Sequence, residues 1–341
     1  MMSEICIYHP YSNVTVTAEY VAIIKEAIEA LGVSTVPIKQ LEKQDKKNPK
    51  GVVVIVAGDA TKAKKCGYSP VITWVQGIIP EESYMRHSSK LRSFVLSYIE
   101  KKGLRNSNFV FYVSDAMADH YKRKYGFHTD NSYIMPCFNS VMNKNSFMTD
   151  GKYEQNTFLY AGSIDPWQCF DEMLHLFKQI EMRVPNAKLR IMTAQQEQAR
   201  QKAEEIGIKN YMVGFAPGDK IVQEMANAKF GFSLRKNHPV NNVATPTKLS
   251  TYVTNGVIPI YSQYVCDFSS KSKDNPYAVR ADADNEYGLE QIVTLCNEII
   301  VAEDVWNAFD SSYGNYYSRL YHMEHISEIL RQKIKVWGLR K

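Results

Sequence analysis

The residues best suited to chemistry lie within 230–260, in the run FGFSLRKNHPVNNVATPTKLSTYVTNGVIPI. Arg235 and Lys248 carry full positive charges, and Thr245, Pro246 and Thr247 stand just before the lysine. Thr245 is a favourable N-cap, and Pro246 suits the first helical position because its missing N–H costs nothing there. The free N–H groups of such a first turn, with the helix dipole, attract anions. Two cations beside a helix start suit a phosphate-bearing ligand. Both side chains are expected to point into solvent when no ligand is bound. The same spacing also fits an ordinary strand–helix unit whose loop cations are merely solvated.

Those residues need elements to hold them. Residues 230–234 read as a short buried strand, 235–243 as a polar loop with a proline and three asparagines, and 248–254 as the body of a helix. Asn255-Gly256 supplies a left-handed cap, and 257–260 is the next buried strand. The loop thus falls at the carboxyl end of a strand, where open α/β sheets hold ligands. The same alternation runs along the whole chain. Strands are expected at 4–9, 33–38, 51–57, 71–75, 108–113 and 132–136, with one long helix over 84–102 and a Ser114-capped helix over 115–125. Residues 137–153 are rich in Asn, Ser, Lys, Asp and Gly and read as a polar linker. Strands then restart at 157–161, 189–193 and 211–214, and Pro217 and Asp219 open a further helix. Helices follow at 286–302 and 304–310, and 313–341 reads as a final aromatic-rich helix.

The residues Thr245-Pro246-Thr247-Lys248, then Tyr252, Gly256 and Pro259, resemble the donor-site helix of family 4 glycosyltransferases, where the pattern is Ser-Pro-Thr-Lys, Glu-Tyr and Gly-x-Pro. Gln76-Gly77-Ile78-Ile79-Pro80-Glu81-Glu82 is similar to that family's His-Gly-x-x-Pro-Glu-Glu loop, and it too follows a strand. Tyr160-Ala161-Gly162 and Pro185-Asn186-Ala187-Lys188-Leu189 resemble the start of the family's second domain, so the likeness covers most of the chain from Val52 onward. It implies an α/β chain of the GT-B fold: two Rossmann-like domains facing a central cleft, with a last helix crossing back to the first. The expected division is 1–145 for the acceptor, 146–315 for the nucleotide-sugar donor and 316–341 for the returning helix.

The resemblance also implies roles. Arg235 and Lys248 would stabilise the departing diphosphate, and Gln76 would orient the sugar. Gly77, Gly162, Ser163, Asn242, Thr245, Pro246, Thr247 and Thr251 would line the donor, with Asn241 as an alternative to Asn242. Glu81 and Glu82 would face the acceptor, or simply cap the helix that they begin. The chain departs from the pattern at several places. Gln76 replaces a histidine, so it can hydrogen-bond but not titrate. Ser163 and Gln168 replace an arginine and a lysine, and Val243 and Thr251 replace two glutamates. The expected activity is retaining transfer from a nucleotide sugar to a saccharide or lipid-linked saccharide, in surface polysaccharide assembly, with no metal or other cofactor. A catalytically silent GT-B module that binds sugar nucleotide or partner transferases is the alternative, and a GT-B epimerase is a third reading.

Composition narrows the classes further. The 341 residues suffice for two domains, and 45% apolar with 23% charged is ordinary for a globular chain. The formal charge of +5 resides in residues 1–150, because acids and bases balance in 151–341. A basic face of that kind suits solubility or contact with anionic headgroups. No aromatic-interleaved basic stripe suggests nucleic acid. The six scattered cysteines form no Cys-x-x-Cys pair, which fits reduced thiols in the cytoplasm. The start has no signal-peptide pattern, and no run reaches the length of a bilayer span. Trp337 with its neighbouring Lys and Arg residues would be the place of any peripheral membrane contact, although packing on the first domain is the more economical role. Asp282-Ala283-Asp284 matches a metal-binding Asp-x-Asp but also a helix-capping loop, and His322 with His325 could share a helix face toward a metal or sit in an ordinary amphipathic helix. His9 ends the first strand and is expected to be structural.

Overall fold

Short apolar runs such as GVVV and VITWV carry no charge that would need water, so they are buried along their whole length as parallel strands. In the computed structural model, which describes residues 4–10, 15–217, 220–282 and 286–338, they lie at the heart of the first of two units. That unit comprises Met1–Asn139 and Ser318–Lys341, and the second is Ser140–Tyr317.

The first unit runs β1 (Glu4–Tyr8), α1 (Thr15–Glu29), β2 (Ser34–Ile38), β3 (Gly51–Val54), α2 (Ala57–Cys66), β4 (Val71–Val75), α3 (Ile79–His87), α4 (Lys90–Asn106), β5 (Phe109–Tyr112), α5 (Asp115–Tyr125) and β6 (Ser132–Ile134). Its sheet is parallel throughout, in the order β2-β1-β3-β4-β5-β6. The single helix expected over 84–102 is two helices. Ser88 takes a left-handed conformation (φ 50°), and the Ser89 hydroxyl accepts from the Arg92 N–H at 3.3 Å to start a new helix. A capping serine thus outweighs an otherwise continuous helical pattern. Ser114 caps α5 by accepting from the Met117 N–H at 3.0 Å, as read from the sequence.

A buried acid ties two of these helices together. Glu100 on α4 accepts from the Tyr125 hydroxyl at 2.8 Å and the Tyr121 hydroxyl at 3.2 Å, and Lys124 lies 3.7 Å away. Burial pushes its carboxyl up from 4.5 to about 7, against the opposing pull of Tyr125 and Lys124, while the Glu81 charge adds to the rise. The native state therefore holds a proton on Glu100 that the unfolded chain releases between about pH 4.5 and 7. Its contribution to stability is complete below pH 4.5 and is lost as pH rises through about 7. Glu100→Gln is expected to flatten that part of the stability profile and to raise stability at pH 8 by about 1–3 kcal/mol. Urea unfolding of the two proteins between pH 5 and 8 checks this; parallel profiles would contradict it.

The second unit runs α6 (Lys144–Phe147), β7 (Thr157–Ala161), α7 (Phe170–Arg183), β8 (Lys188–Met192), α8 (Gln196–Ile206), β9 (Tyr211–Gly214), α9 (Lys220–Ala226), β10 (Phe230–Ser233), α10 (Pro239–Val243), α11 (Thr247–Thr254), β11 (Ile258–Tyr261), α12 (Cys266–Lys271), β12 (Val279–Arg280), α13 (Glu286–Asn297) and α14 (Ala302–Tyr313). Asp219, expected to open α9, and Ala283 and Asp284 of the Asp-x-Asp lie outside the described residues. The parallel order β9-β8-β7-β10-β11-β12 places a topological switch point between β7 and β10. Phe158, Phe230 and Phe232 stack along that junction, with ring centroids 4.6 and 5.8 Å from Phe158. The final helix, α15 (Arg319–Val336), belongs to the first unit and packs on α1, where the Ser327 hydroxyl donates to the Ala27 carbonyl at 3.0 Å. It does not begin at 313, because Tyr313 closes α14 and Ser318 caps the new start.

The segment expected as a polar linker is instead largely part of the second unit. Asn143 N–H donates to the Thr254 carbonyl, the Ser146 hydroxyl donates to Asn255, and Phe147 packs edge-on against Trp306 and Phe309. Lys152, read as a linker charge, is buried, and its ammonium donates to the carbonyls of Ser146, Met225 and Asn255 at 2.6–3.0 Å. These contacts move the division between the units to Asn139 and Ser140.

Candidate functional site

At the switch point, β7 and β10 pair over only two residues, Phe158–Leu159 against Phe230–Gly231, and then diverge. Tyr252 of α11 fills the fork. Its ring lies so close to Gly231 that a Cβ there would sit 2.7 Å from it. Its hydroxyl lies 3.3–3.4 Å from the carbonyls of Leu159 and Phe232 and the N–H of Ala161. Helix α11 starts one residue later than expected. Pro246 is the N-cap, with no side-chain cap, and Thr247 is the first helical residue. Gly256 (φ 72°) follows the last turn, as expected of that dipeptide. The end of the 235–243 loop is also helical, because His238 caps α10 by accepting from the Val240 N–H.

The two cations are not in solvent. Arg235 follows β10 and is 8% exposed; its N–H donates to the Ser262 hydroxyl at 2.9 Å and its Nη1 to the Leu234 carbonyl at 2.8 Å. The Lys248 side chain is half-buried, and its ammonium lies 4.0 Å from the centre of the Tyr160 ring and donates to Gln168 Oε1 at 3.3 Å. Gly162 (φ 143°) makes room for it, since a Cβ there would lie 3.2 Å from Lys248 Nζ. Tyr160 is held in turn by its hydroxyl, which donates to the Ser163 carbonyl at 2.5 Å. Burial lowers the Lys248 ammonium well below its usual range, and the Arg235 charge lowers it further. Burial likewise lowers Arg235. Among the described residues neither cation has a carboxylate partner. Two enclosed like charges with no counter-charge are costly, and an anion would relieve both.

Arg235 also lines a pocket of about 540 Å³ at the carboxyl ends of β10, β11 and β12. Cys169, Glu172, Lys236, Ser262, Gln263, Tyr264, Arg280 and Asp282 form much of its wall. Lys236 is paired with Glu172 at 2.5 Å, and Asp282 Oδ1 accepts from the Gln263 N–H at 3.0 Å. Cys169 takes a left-handed conformation (φ 53°) immediately before α7. The cation of this pocket without a carboxylate partner, Arg235, is the one that the sequence singled out.

Other expected donor residues are turned elsewhere. The Ser163 hydroxyl donates to Asp165 at 2.5 Å. Thr251 is buried, and its hydroxyl donates to the Thr247 carbonyl at 2.8 Å. The Asn242 amide lies 3.1 Å from the carbonyls of His238 and Tyr264, and Asn241 donates to the Lys236 carbonyl at 2.9 Å. Thr245 and Thr247 are half-buried beside them.

The first-unit loop forms its own cluster. Gln76 follows β4 and donates to the Ile55 carbonyl beyond β3 at 3.3 Å. The Gly77 carbonyl lies 3.2 Å from the Tyr121 hydroxyl that also faces Glu100, and the Glu82 carboxylate packs on the Gly77 Cα, where a Cβ would meet it at 2.0 Å. Glu82 accepts from the Ile78 N–H, so it caps α3, and burial raises its carboxyl. Glu81 pairs with Lys124 at 2.7 Å and His120 at 3.4 Å.

No family model and no curated protein matches the chain. Solved structures do. Sucrose-phosphate synthase from Thermosynechococcus elongatus superposes with a TM-score of 0.66 at 11% identity, over 98% of this chain and 100% of its own. A glycosyltransferase from Rickettsia africae gives 0.60 at 13% identity, over 96% and 99%. S. aureus TarM, crystallised with UDP and α-GlcNAc-glycerol, gives 0.62 at 12% identity over 82% of this chain. The match spans 55% of TarM, about half its length. The fold is that of GT-B glycosyltransferases.

Sequence reasoning passed over several residues here. Ser262, Gln263 and Arg280 stand at or just beyond strand ends, and the rule that led to Arg235 could have found them. Tyr160 and Cys169 gave no such signal, since an aromatic on a buried strand and a lone cysteine read as core. His322 is buried, its Nδ1 lies 2.8 Å from the Tyr133 hydroxyl, and its ring stacks on Phe138, while His325 is exposed and meets the Tyr321 carbonyl. Among the described residues no group of three or more His, Cys, Asp or Glu could hold a metal ion. His9 meets the Thr17 hydroxyl at 3.0 Å.

Proposed function

We propose that this chain transfers a sugar from a nucleotide sugar to a saccharide or lipid-linked saccharide acceptor, with retention, in the assembly of a surface polysaccharide. The observation that supports this most is the pair of enclosed cations, Arg235 and Lys248, without a carboxylate partner beside the switch point of a Rossmann-like sheet. A donor diphosphate carries the two negative charges that this pair lacks. TarM, of the same fold, binds UDP, which makes a nucleoside diphosphate a fitting occupant.

In the proposed reaction the bond between the sugar's anomeric carbon and the diphosphate oxygen breaks, and its electron pair leaves with the phosphate. Arg235, Lys248 and the first-turn amides of α11 stabilise the charge that develops there. The acceptor hydroxyl attacks from the face that the phosphate leaves, and its proton passes to the departing phosphate oxygen. Gln76 is proposed to hydrogen-bond the sugar, in the place of the family's histidine. On that basis Gln76→Ala is expected to lower kcat/KM by about ten- to a hundredfold, as loss of one or two oriented hydrogen bonds would, and Gln76→His to keep much of it. Wild-type rates in both variants would remove Gln76 from the reaction.

The commitment of Thr251, where the family has a glutamate, to its own helix favours a second reading, a module that binds sugar nucleotide without turning it over. Release of free nucleoside diphosphate from UDP-, GDP- and CDP-sugars, with and without a saccharide acceptor, separates the two. Acceptor-dependent release supports transfer; tight binding with no release would replace transfer by binding.

A further inference from the structure

The outer face of α4 is apolar where a surface helix is usually polar. Leu91, Phe94 and Tyr98 are 76%, 73% and 63% exposed, and Val95 and Ile99 extend the same stripe. Their spacing follows the helical repeat, so they form one continuous ridge. The opposite face is fully used. Gly103 lies against the Ala57 backbone, Leu104 is buried, and Glu100 is turned inward to Tyr121 and Tyr125.

Exposed charge along the ridge's own stretch of chain has one sign. From Tyr84 to Asn106 the bases are Arg86, Lys90, Arg92, Lys101, Lys102 and Arg105, and the lone acid is the buried Glu100. Lys102 lies 5.9 Å from the centre of the Tyr98 ring, at the edge of the apolar stripe. An exposed apolar ridge whose own helix exposes cations and no acid is complementary to a surface that is apolar below and anionic above.

We infer that α4 docks this protein on an anionic lipid surface, with Leu91, Phe94 and Tyr98 entering the headgroup boundary and the bordering lysines and arginines meeting lipid phosphates. A second copy of the chain is a poorer occupant, because an isologous contact would set one cationic border against another. The inference concerns the first unit alone and does not depend on the proposed transfer reaction. Among the described residues, the Trp337 end of α15, the sequence's candidate for membrane contact, has no comparable ridge, since Ile326, Leu330 and Ile334 are buried.

The test is flotation of the full chain with vesicles of phosphatidylcholine alone or with 30 mol% phosphatidylglycerol, about the proportion that gives an appreciable surface potential. Binding is expected to the anionic vesicles only, and to weaken in high salt. Leu91→Glu with Phe94→Glu is expected to reduce it at least about tenfold with an unchanged circular dichroism spectrum, because both side chains are exposed. Lys90→Gln, Arg92→Gln and Lys102→Gln together are expected to do the same without touching the ridge. A Phe94→Trp reporter should shift its emission to the blue on vesicle addition. No binding to anionic vesicles, equal binding by the variants, or a dimer in sedimentation that the glutamate variant abolishes while vesicles are ignored, would overturn the inference.

Discussion

Lys248→Met is expected to weaken nucleoside diphosphate binding by about ten- to a hundredfold, the loss of one charge-assisted hydrogen bond, and yet to leave the empty protein at least as stable as wild type. The two halves of that result have one cause. The ammonium is enclosed by Tyr160 and Gly162 and repelled by Arg235. Removing a charge that lacks a counter-charge, while keeping the length of the stem, relieves repulsion without opening a cavity. Arg235→Met is expected to weaken binding by a similar factor, and the double variant by less than the product, because both cations would share one ligand. The pH dependence follows from the same contacts. Burial and Arg235 lower the Lys248 ammonium, so a diphosphate bound beside it would raise it again. Binding is then accompanied by proton uptake and weakens as pH rises through the lowered range. Titration calorimetry in buffers of different ionisation enthalpy reads that uptake, which Lys248→Met should abolish. A strongly destabilised Lys248→Met protein would mean that the ammonium is a structural group.

Tyr252→Ala is expected to destabilise the second unit by about 3–5 kcal/mol, the usual cost of deleting a large buried aromatic ring. The ring fills the space over Gly231, and its hydroxyl occupies the fork where β7 and β10 part. Tyr252→Phe should cost only about 1 kcal/mol, since it removes the hydroxyl and keeps the ring. Gly231→Ala should cost about 1–3 kcal/mol, because the added methyl meets the ring at 2.7 Å. Combined with Tyr252→Ala it should cost much less than the two alone, since the methyl then enters the vacated space. Urea midpoints for the four proteins check the cycle. Additive effects, or a Tyr252→Ala cost under about 1 kcal/mol, would contradict the packing described.

How much of this was legible in the sequence depends on how far apart the cooperating residues lie. The parallel sheets were readable where strands are local apolar runs, although the two-residue β12 was not, and Asn255-Gly256 was readable because a left-handed cap is a local event. The candidate anion site was half readable. Arg235 and Lys248 stand near a strand end and a helix start, but their enclosure depends on Tyr160, Gly162 and Gln168, about seventy to eighty-five residues earlier. The inward turn of Thr251 and Asn242 was not readable either, because a short polar side chain serves a ligand or its own backbone equally well. Lys152 shows the same limit from the other side. A lysine in a polar stretch looks solvated until the Ser146 carbonyl of its own stretch and carbonyls from two distant segments converge on it.

The most direct measurement is calorimetric titration of UDP and GDP into wild type, Lys248→Met, Arg235→Met and the double variant at one salt concentration and pH. The prediction is binding of at least one nucleotide by wild type, about ten- to a hundredfold weaker in each single variant, with a double-variant loss smaller than the product of the two. Equal affinities in all four proteins would contradict it, and would show that the two enclosed cations do not hold a diphosphate.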